Sequence, residues 1–297
     1  MEAVTQQHRN HTFISGGRSL DMPYSVLFNN RGLLEADANP VIYFPGYGES
    51  EQSTREVLQG AADQGVTAAA LRLHFHDMPA GLADTAVASI ERVGQELVPE
   101  AVSNIIPELG GDTVDAEANS MGAVVLGFLL RATRGDNHID AITAINPMGL
   151  SNRSGRVSRN RATFLARYVG AMSRNNPFES GSFRAGRSAA AEIARDHRSR
   201  TFWAQLQVAN TVDFAPEYVA HAATHHVDVT TGERDILFTS DAIEERIRDE
   251  IARQELEGSI DVADMVTRVQ KFSHQDIGQQ TALNVLAAAR QNRINRS

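Results

Sequence analysis

The sequence predicts an α/β fold in which helices cover both faces of a mostly parallel central sheet. Short apolar segments alternate with helical segments over the first 150 residues, and this alternation is typical of parallel sheets. Two turns built from small residues, Pro45–Gly46 and Ser120–Gly122, each follow one of the predicted strands directly. The 297 residues, of which 42% are hydrophobic, are enough for one substantial core.

The predicted elements follow in order along the chain. An N-terminal hairpin is expected over residues 12–28, with its turn at Gly16 and Gly17. The alternating elements after it are strand 41–44, helix 51–64, strand 66–73, helix 83–98 with an extension to 106, strand 112–118, helix 121–133 and strand 139–145. After residue 221 the pattern resumes with a strand that starts near His225, a strand over 265–272 and a helix over 277–290.

Residues 151–221 break this alternation. They are rich in Arg and Ser at first and carry apolar residues at helical spacing, such as Phe164, Tyr168 and Met172, so they predict a helical insertion. The aromatic residues toward its end are expected to pack in the interior rather than to contact a substrate. These aromatic residues are Trp203, Phe214 and Tyr218.

Ser120 occupies a strand-to-helix turn in the sequence Ala118-Asn-Ser-Met-Gly122. Larger side chains two positions on either side would collide with the crossing strand and helix, so Ala118 and Gly122 fit there. A serine on such a turn, called a nucleophile elbow, exposes its hydroxyl for catalysis. A serine that only caps the following helix would give the same local pattern, and that alternative stays open on this motif alone.

A serine nucleophile needs a base to take its proton and a carboxylate to orient that base. Asp235 and His274 each follow a predicted strand, and they come after Ser120 in the order serine, acid, histidine. The C-terminal ends of parallel strands lie along one edge of a sheet. We therefore expect these three side chains to meet at that edge.

The loop from Pro45 to Ser50 contains two glycines and joins a predicted strand to a helix. Such a loop can direct a backbone N–H toward a developing oxyanion, and the residue after the nucleophile, Met121, can supply a second N–H. Met121 also begins a predicted helix, and the dipole at a helix N-terminus favours negative charge.

Taken together, these segments resemble the α/β-hydrolase superfamily over nearly the whole chain. Pro45-Gly46-Tyr47 is similar to the family's oxyanion segment, which implies that the N–H of Tyr47 joins that of Met121 in an oxyanion hole. Gly232-Glu-Arg-Asp235 is similar to the family's acid loop. His274 corresponds to the catalytic histidine, although Ser273 stands where the family usually has Gly.

The resemblance implies an α/β-hydrolase fold with an inserted helical cap over the active site. The expected domains are a first part of the core over 1–150, the cap over 151–221 and a second part of the core over 222–297. The implied activity is that of a serine hydrolase that cleaves a carboxylic ester, or an amide, of a small to medium molecule without a cofactor. A non-catalytic ligand-binding protein of the same fold is the alternative.

Composition narrows the class of protein further. The chain has no cysteine, which excludes disulfides, thiolate metal sites and a cysteine nucleophile. A net charge of −9 argues against nucleic acid as the main partner. The sequence has no apolar run near the roughly 18 residues of a membrane helix and no apolar signal-peptide core at its start, so we expect a cytoplasmic protein without a membrane partner.

Positive charge is concentrated in residues 151–200, which contain eleven arginines against Glu179, Glu192 and Asp196. The arginines either solvate an outer helical face or attract an anionic substrate. If the arginines attract the substrate, we expect the small-molecule partner to carry a negative charge.

Two features do not fit the simple pattern. The first is a pair of acidic residues, Asp115 and Glu117, in the strand before Ser120, because this strand is usually apolar in the family. Either the ends of the strand meet loops or an arginine such as Arg72, or Glu117 tunes the site.

The second feature is a pair of histidines. On a strand, His74 and His76 would share one face, as a metal-binding pair does, with His225 or His226 as further ligands. A metal-dependent hydrolase is therefore a third hypothesis, although no other residues have ligand spacing. The alternative is that these histidines lie in a loop near the mouth of the active site.

Overall fold

The protein is described by a computed structural model. It describes residues 4–29, 39–46, 49, 51–133, 138–150, 200–232, 239–257 and 265–270. Within these ranges eight strands form one sheet. The strands are β1 (Val4–Ser15), β2 (Arg18–Asn29), β3 (Val41–Phe44), β4 (Ala68–Leu73), β5 (Val114–Asn119), β6 (Ile139–Ile145), β7 (His226–Gly232) and β8 (Met265–Gln270).

The helices lie between these strands, as the alternation predicts. They are α1 (Glu51–Asp63), α2 (Ala86–Glu108), α3 (Met121–Thr133), α4 (Arg200–Thr211), α5 (Ala215–Ala222) and α6 (Ser240–Leu256). Helix α2 begins after Thr85, whose side chain accepts a hydrogen bond from the N–H of Ala88 and so satisfies one free donor of the first turn.

The strand order across the sheet is β1, β2, β4, β3, β5, β6, β7, β8. Strands β1, β2 and β4 pair antiparallel, and every pair from β4 through β8 is parallel. The predicted mostly parallel sheet is therefore confirmed. The hairpin turns at Gly16 and Gly17, whose positive φ angles of 56° and 75° suit the tight turn.

Helices cover both faces of the sheet, and alternate residues of each strand face opposite sides. Ile42 and Phe44 of β3 belong to a large apolar cluster with buried residues of α2 and α3. Tyr43, between them, belongs to a second cluster with Val57 and Leu58 of α1. Because successive side chains of a strand point to opposite faces of the sheet, β3 contributes side chains to both apolar clusters.

The end of the predicted insertion is part of this packing. Helix α4 contacts α2, and α5 contacts α3. Phe214 and Tyr218 are fully buried, as expected for packing residues, and Trp203 packs against the same core. Residues 151–199 lie outside the described part of the chain, so the cap over the active site stays a prediction.

The helices within the described ranges include none that combines the length and the apolar character needed to span a bilayer.

Candidate active site

Ser120 lies between the last residue of β5 and the first residue of α3, at the C-terminal end of a central strand. Its φ angle is +50°, in the left-handed region that residues other than glycine rarely adopt. Such strain costs on the order of 1–3 kcal/mol and persists only where the surrounding structure imposes it. The strained serine at a strand-to-helix turn is the geometry expected of a nucleophile elbow.

Gly122 shows why the turn needs a small residue after the serine. A Cβ atom built on Gly122 would lie 1.9 Å from the carbonyl oxygen of Phe44, at the end of β3. No side chain fits at that distance, so α3 begins in direct contact with the neighbouring strand. Ala118, two residues before Ser120, is also fully buried. The lack of space at both positions therefore explains why the sequence motif has small residues there.

Backbone hydrogen bonds hold Ser120 against the next strand. Its N–H donates to the carbonyl of Ile145 at 2.9 Å. Its own carbonyl accepts from the N–H groups of Ala123 and Met148, both at 3.1 Å. The turn is thus connected to the end of β6 on one side and to the first turn of α3 on the other.

Asn146 is a second strained residue, directly after β6, with a φ angle of +44°. Its N–H donates to the carbonyl of Thr230 at 2.8 Å, and its side-chain oxygen accepts from the N–H of Gly232 at 2.7 Å. Asn146 therefore fixes the end of β7 beside the serine turn. The sequence analysis missed it, although asparagine is enriched at positive φ and this one follows a strand directly.

The predicted oxyanion donors are described in part. Met121 is the first residue of α3, so its N–H belongs to the first turn, where backbone donors have no partner within the helix. Tyr47 lies outside the described residues. Its preceding residues, Pro45 and Gly46, come directly after β3 at the same edge of the sheet as Ser120.

Asp235 and His274 also lie outside the described residues, so their distances to Ser120 stay predictions. The strands that lead to them are described. β7 ends at Gly232 and β8 at Gln270, and these two residues are paired in the parallel sheet. Asp235 and His274 therefore follow adjacent strand ends by three and four residues along the chain.

Glu49 lies beneath the serine turn, and the sequence analysis did not select it. Its carboxylate accepts hydrogen bonds from the Tyr43 hydroxyl, from the N–H of Gly46 and from the side-chain amide of Asn119. Burial raises the pKa of Glu49, while its hydrogen-bond donors act in the opposite direction. The bond from Asn119 joins residues 70 positions apart in the chain, so no local pattern could have indicated it.

Glu117 is 1% exposed, and neither carboxyl oxygen has a hydrogen-bond partner in the described part of the chain. Burial and, second, the nearby charge of Glu49 raise its pKa well above the usual range for a glutamate. Arg72, one partner suggested by the sequence, donates to the backbone carbonyl of Glu49. Asp115 does meet a loop, since it accepts from the side chain of Asn39 at 3.1 Å.

His74 and His76 do not lie on a strand, so they do not form the pair that the metal hypothesis requires. Strand β4 ends at Leu73, and residues 75–77 form a 3-10 turn that ends the alternation. His74 Nε2 instead lies 2.7 Å from the hydroxyl of Ser25, which also lies 3.1 Å from His8 Nδ1. The described residues contain no group of three or more side chains suited to hold a metal ion.

A cavity of about 540 Å³ lies between α3, α5 and α6, where Leu130, Arg131 and His221 border it. Leu130 is nine residues beyond Met121 in α3, or roughly 13 Å along a helix with a rise of 1.5 Å per residue. This cavity is therefore separate from the turn that holds Ser120.

Comparison with known proteins gives a fold but no sequence family. No family model matches the chain, and no curated protein matches its sequence. Solved structures do match. An epoxide hydrolase from Vigna radiata has a TM-score of 0.55 at 15% identity, with 98% of this chain and 99% of that chain covered.

Two further structures match over similar lengths. A peroxisomal α/β-hydrolase from Saccharomyces cerevisiae has a TM-score of 0.61 at 12% identity and covers 100% of this chain and 91% of its own. An N-formylmaleamic acid deformylase from Pseudomonas putida S16 has a TM-score of 0.53 at 11% identity, with 94% and 100% covered. With the parallel sheet and the serine turn, these matches show that the chain has the α/β-hydrolase fold.

Proposed function

We propose that this protein is a serine hydrolase that cleaves a carboxylic ester, or an amide, of a small to medium molecule. The observation that carries the proposal is the strained Ser120 at the C-terminal end of β5, with Gly122 packed on the carbonyl of Phe44. A serine that only caps a helix needs neither a left-handed φ nor this close crossing. The hydrolase names of the similar structures support the same class of reaction.

In the proposed reaction, the Ser120 hydroxyl oxygen attacks the substrate carbonyl carbon while His274 takes the hydroxyl proton. Asp235 holds the imidazole in the tautomer that accepts this proton. The N–H groups of Met121 and Tyr47 stabilise the oxyanion of the tetrahedral intermediate. When the intermediate collapses, His274 gives its proton to the departing alkoxide or amine, which leaves an acyl group on Ser120.

Water completes the cycle. His274 takes a proton from the water as its oxygen attacks the acyl carbon, and then returns a proton to the Ser120 oxygen as the carboxylic acid leaves. Each group thus ends in its starting state, and no cofactor or metal is required. We propose a cytoplasmic location and a substrate that is a small molecule, with an anionic substrate as one option because of the arginines in residues 151–200.

Labelling with a fluorophosphonate, followed by peptide mapping, tests the proposal directly. A serine activated by a base and faced by oxyanion donors reacts with this probe, so we expect one label on Ser120 and none on the Ser120→Ala variant. His274→Ala should slow the labelling by at least about 10³-fold if His274 is the base. Absence of a label on the folded wild-type protein would favour a ligand-binding protein, and a label on another serine would overturn the assignment.

A further inference from the structure

Glu49 connects the loop after β3 with the turn that holds Ser120, and we propose that it is a positioning residue for the oxyanion hole. The proposal rests on the proposed function, because an oxyanion hole matters only if Ser120 forms a tetrahedral intermediate. The loop contributes Gly46, which directly precedes the expected donor Tyr47 in the sequence. The turn contributes Asn119, which directly precedes Ser120.

One carboxylate oxygen of Glu49 makes both connections. Its Oε1 accepts a hydrogen bond from the N–H of Gly46 at 2.9 Å and another from Nδ2 of Asn119. The N–H of Glu49 donates back to the carbonyl of Gly46 at 3.3 Å, which closes the loop on itself. A single side chain therefore links the two segments that precede the expected oxyanion donor and the nucleophile.

Other contacts hold Glu49 in this place. The Tyr43 hydroxyl lies 2.7 Å from Oε2 and 2.9 Å from Oε1. An ionised carboxylate has only acceptors, so it can satisfy three converging donors at once. On the backbone side, the guanidinium of Arg72 donates to the carbonyl of Glu49 at 3.1 Å. The connection is thus fixed from the sheet below and from β4 beside it.

The loop and the serine turn are also in close steric contact. A Cβ atom on Gly46 would lie 3.1 Å from Nδ2 and 3.2 Å from the carbonyl oxygen of Asn119. Glycine lets the loop approach this closely, and Glu49 supplies the polar bonds that keep it there. Oxyanion donors act only within about 2.7–3.1 Å of the developing charge, and a displacement of about 1 Å can cost about 10²-fold in rate.

The test compares variants that lose or keep these acceptors. Glu49→Leu removes both oxygens and leaves the three donors without their partner. Glu49→Gln keeps one oxygen that can accept from Gly46 and Asn119, while its amide can donate to the Tyr43 oxygen. Asn119→Ala removes the bond from the serine turn while Glu49 keeps its bonds from Tyr43 and Gly46, and this variant carries the test if Glu49→Leu does not fold. Glu96→Gln, in an exposed pair with Arg92, is the matched surface control.

The measurements are kcat and KM with p-nitrophenyl acetate, and the rate of fluorophosphonate labelling of Ser120. We expect Glu49→Leu to lower kcat by about 10²-fold with KM changed less than about threefold, because the lost positioning acts on the transition state. Asn119→Ala should lower kcat less, and Glu49→Gln should recover most of it. The losses of Glu49→Leu and Asn119→Ala should not add in the double variant, since both break one connection.

The outcomes separate this inference from the proposed function. If the wild-type protein labels on Ser120 but folded Glu49→Leu and Asn119→Ala keep its kcat and labelling rate, the positioning role is wrong and the serine hydrolase stands. A rise in KM at constant kcat would also overturn it, because that result indicates a role in substrate binding. If the folded wild-type protein neither labels on Ser120 nor turns over esters, the proposed function itself fails.

Discussion

Gly122 meets the carbonyl oxygen of Phe44 so closely that a Cβ atom would lie 1.9 Å from it. We therefore expect Gly122→Ala to destabilise the protein at or beyond the upper end of the roughly 1–3 kcal/mol typical of overpacking, because a backbone atom cannot move aside. Activity should fall as well, since the expected oxyanion donor Met121 begins α3 and the expected donor Tyr47 follows β3 by three residues along the chain. Urea unfolding gives the change in stability.

Gly81→Ala is the control for this substitution. Gly81 has a φ angle of +84°, but a Cβ atom there would have nothing within 4 Å, so alanine should cost only roughly 1–2 kcal/mol from the backbone. Equal losses at the two glycines would mean that the contact with Phe44 relaxes easily, and the steric account of the serine turn would then be wrong.

The strain at Ser120 can be measured by comparing two variants that both lack the hydroxyl. Glycine adopts the φ of +50° without the cost that alanine bears, so Ser120→Gly should be more stable than Ser120→Ala by roughly 1 kcal/mol. At Ser53, within α1, the order should reverse, because glycine is less favourable than alanine in a helix by roughly 1 kcal/mol. Thermal unfolding of the four variants decides whether the backbone at Ser120 is strained.

The local part of this site could be predicted from the sequence. Alternating apolar segments predicted the sheet, and the small residues around Ser120 predicted the turn, because both depend on neighbours within a few positions. The end of β4 at Leu73 agrees with the predicted strand 66–73, and the 3-10 turn at residues 75–77 removes the strand on which His74 and His76 would have formed a pair.

The bond between Asn119 and Glu49 could not be predicted in this way. Asn119 lies 70 positions further along the chain, so its bond to Glu49 exists only once β3 and β5 are paired. Glu117 was noted as an anomaly, but its lack of a described partner depends on how the sheet is covered. Sequence reasoning thus predicted the turn at Ser120 and missed Glu49, whose bond from Asn119 depends on the assembled sheet.

The arginines of residues 151–200 allow a test of substrate charge. If they face the active site, kcat/KM for an ester with a remote carboxylate should exceed that for its neutral analogue, and the ratio should fall as salt shortens the Debye length below about 10 Å. Rates of the matched esters at low and high ionic strength check this. A ratio that does not change with salt would assign the arginines to an outer, solvated surface.

His221 should make the protein sensitive to acid. Burial and, second, the neighbouring His225 lower the pKa of His221 to about 4, and neither ring nitrogen has a hydrogen-bond partner in the described ranges. Between the usual histidine pKa of 6.5 and about 4, the unfolded chain binds a proton that the native protein does not. Stability should therefore fall as the pH drops through this window, by roughly 3 kcal/mol at most.

His221→Leu should flatten this part of the stability profile, because leucine has no proton to bind and leaves no unpaired nitrogen. His76→Gln, at an exposed histidine, is the control for the loss of a histidine. The measurement is the free energy of unfolding in urea across the window. An unchanged slope in His221→Leu would show that other groups cause the acid sensitivity.

The raised pKa of Glu117 predicts that stability falls as the pH rises, which is the opposite of the dependence expected from His221. Its pKa in the folded protein is raised well above the value of 4.5 expected for the unfolded chain, by burial and by the charge of Glu49. Below pH 4.5 the carboxyl is protonated in both states and costs nothing extra. Above it, the unfolded chain releases a proton that the native protein retains, so stability falls with rising pH by at most about 1.4 kcal/mol per pH unit until the folded pKa is reached.

Glu117→Gln removes this penalty, because the amide has nearly the same shape and carries no charge. The gain in melting temperature over the wild-type protein should therefore be small near pH ~4 and should grow as the pH rises. Glu96→Gln, at an exposed position, should show no such growth. If the gain stays constant with pH, or if Glu117→Gln is less stable than the wild-type protein near neutral pH, then burial and the charge of Glu49 do not raise the pKa of Glu117 in the folded protein.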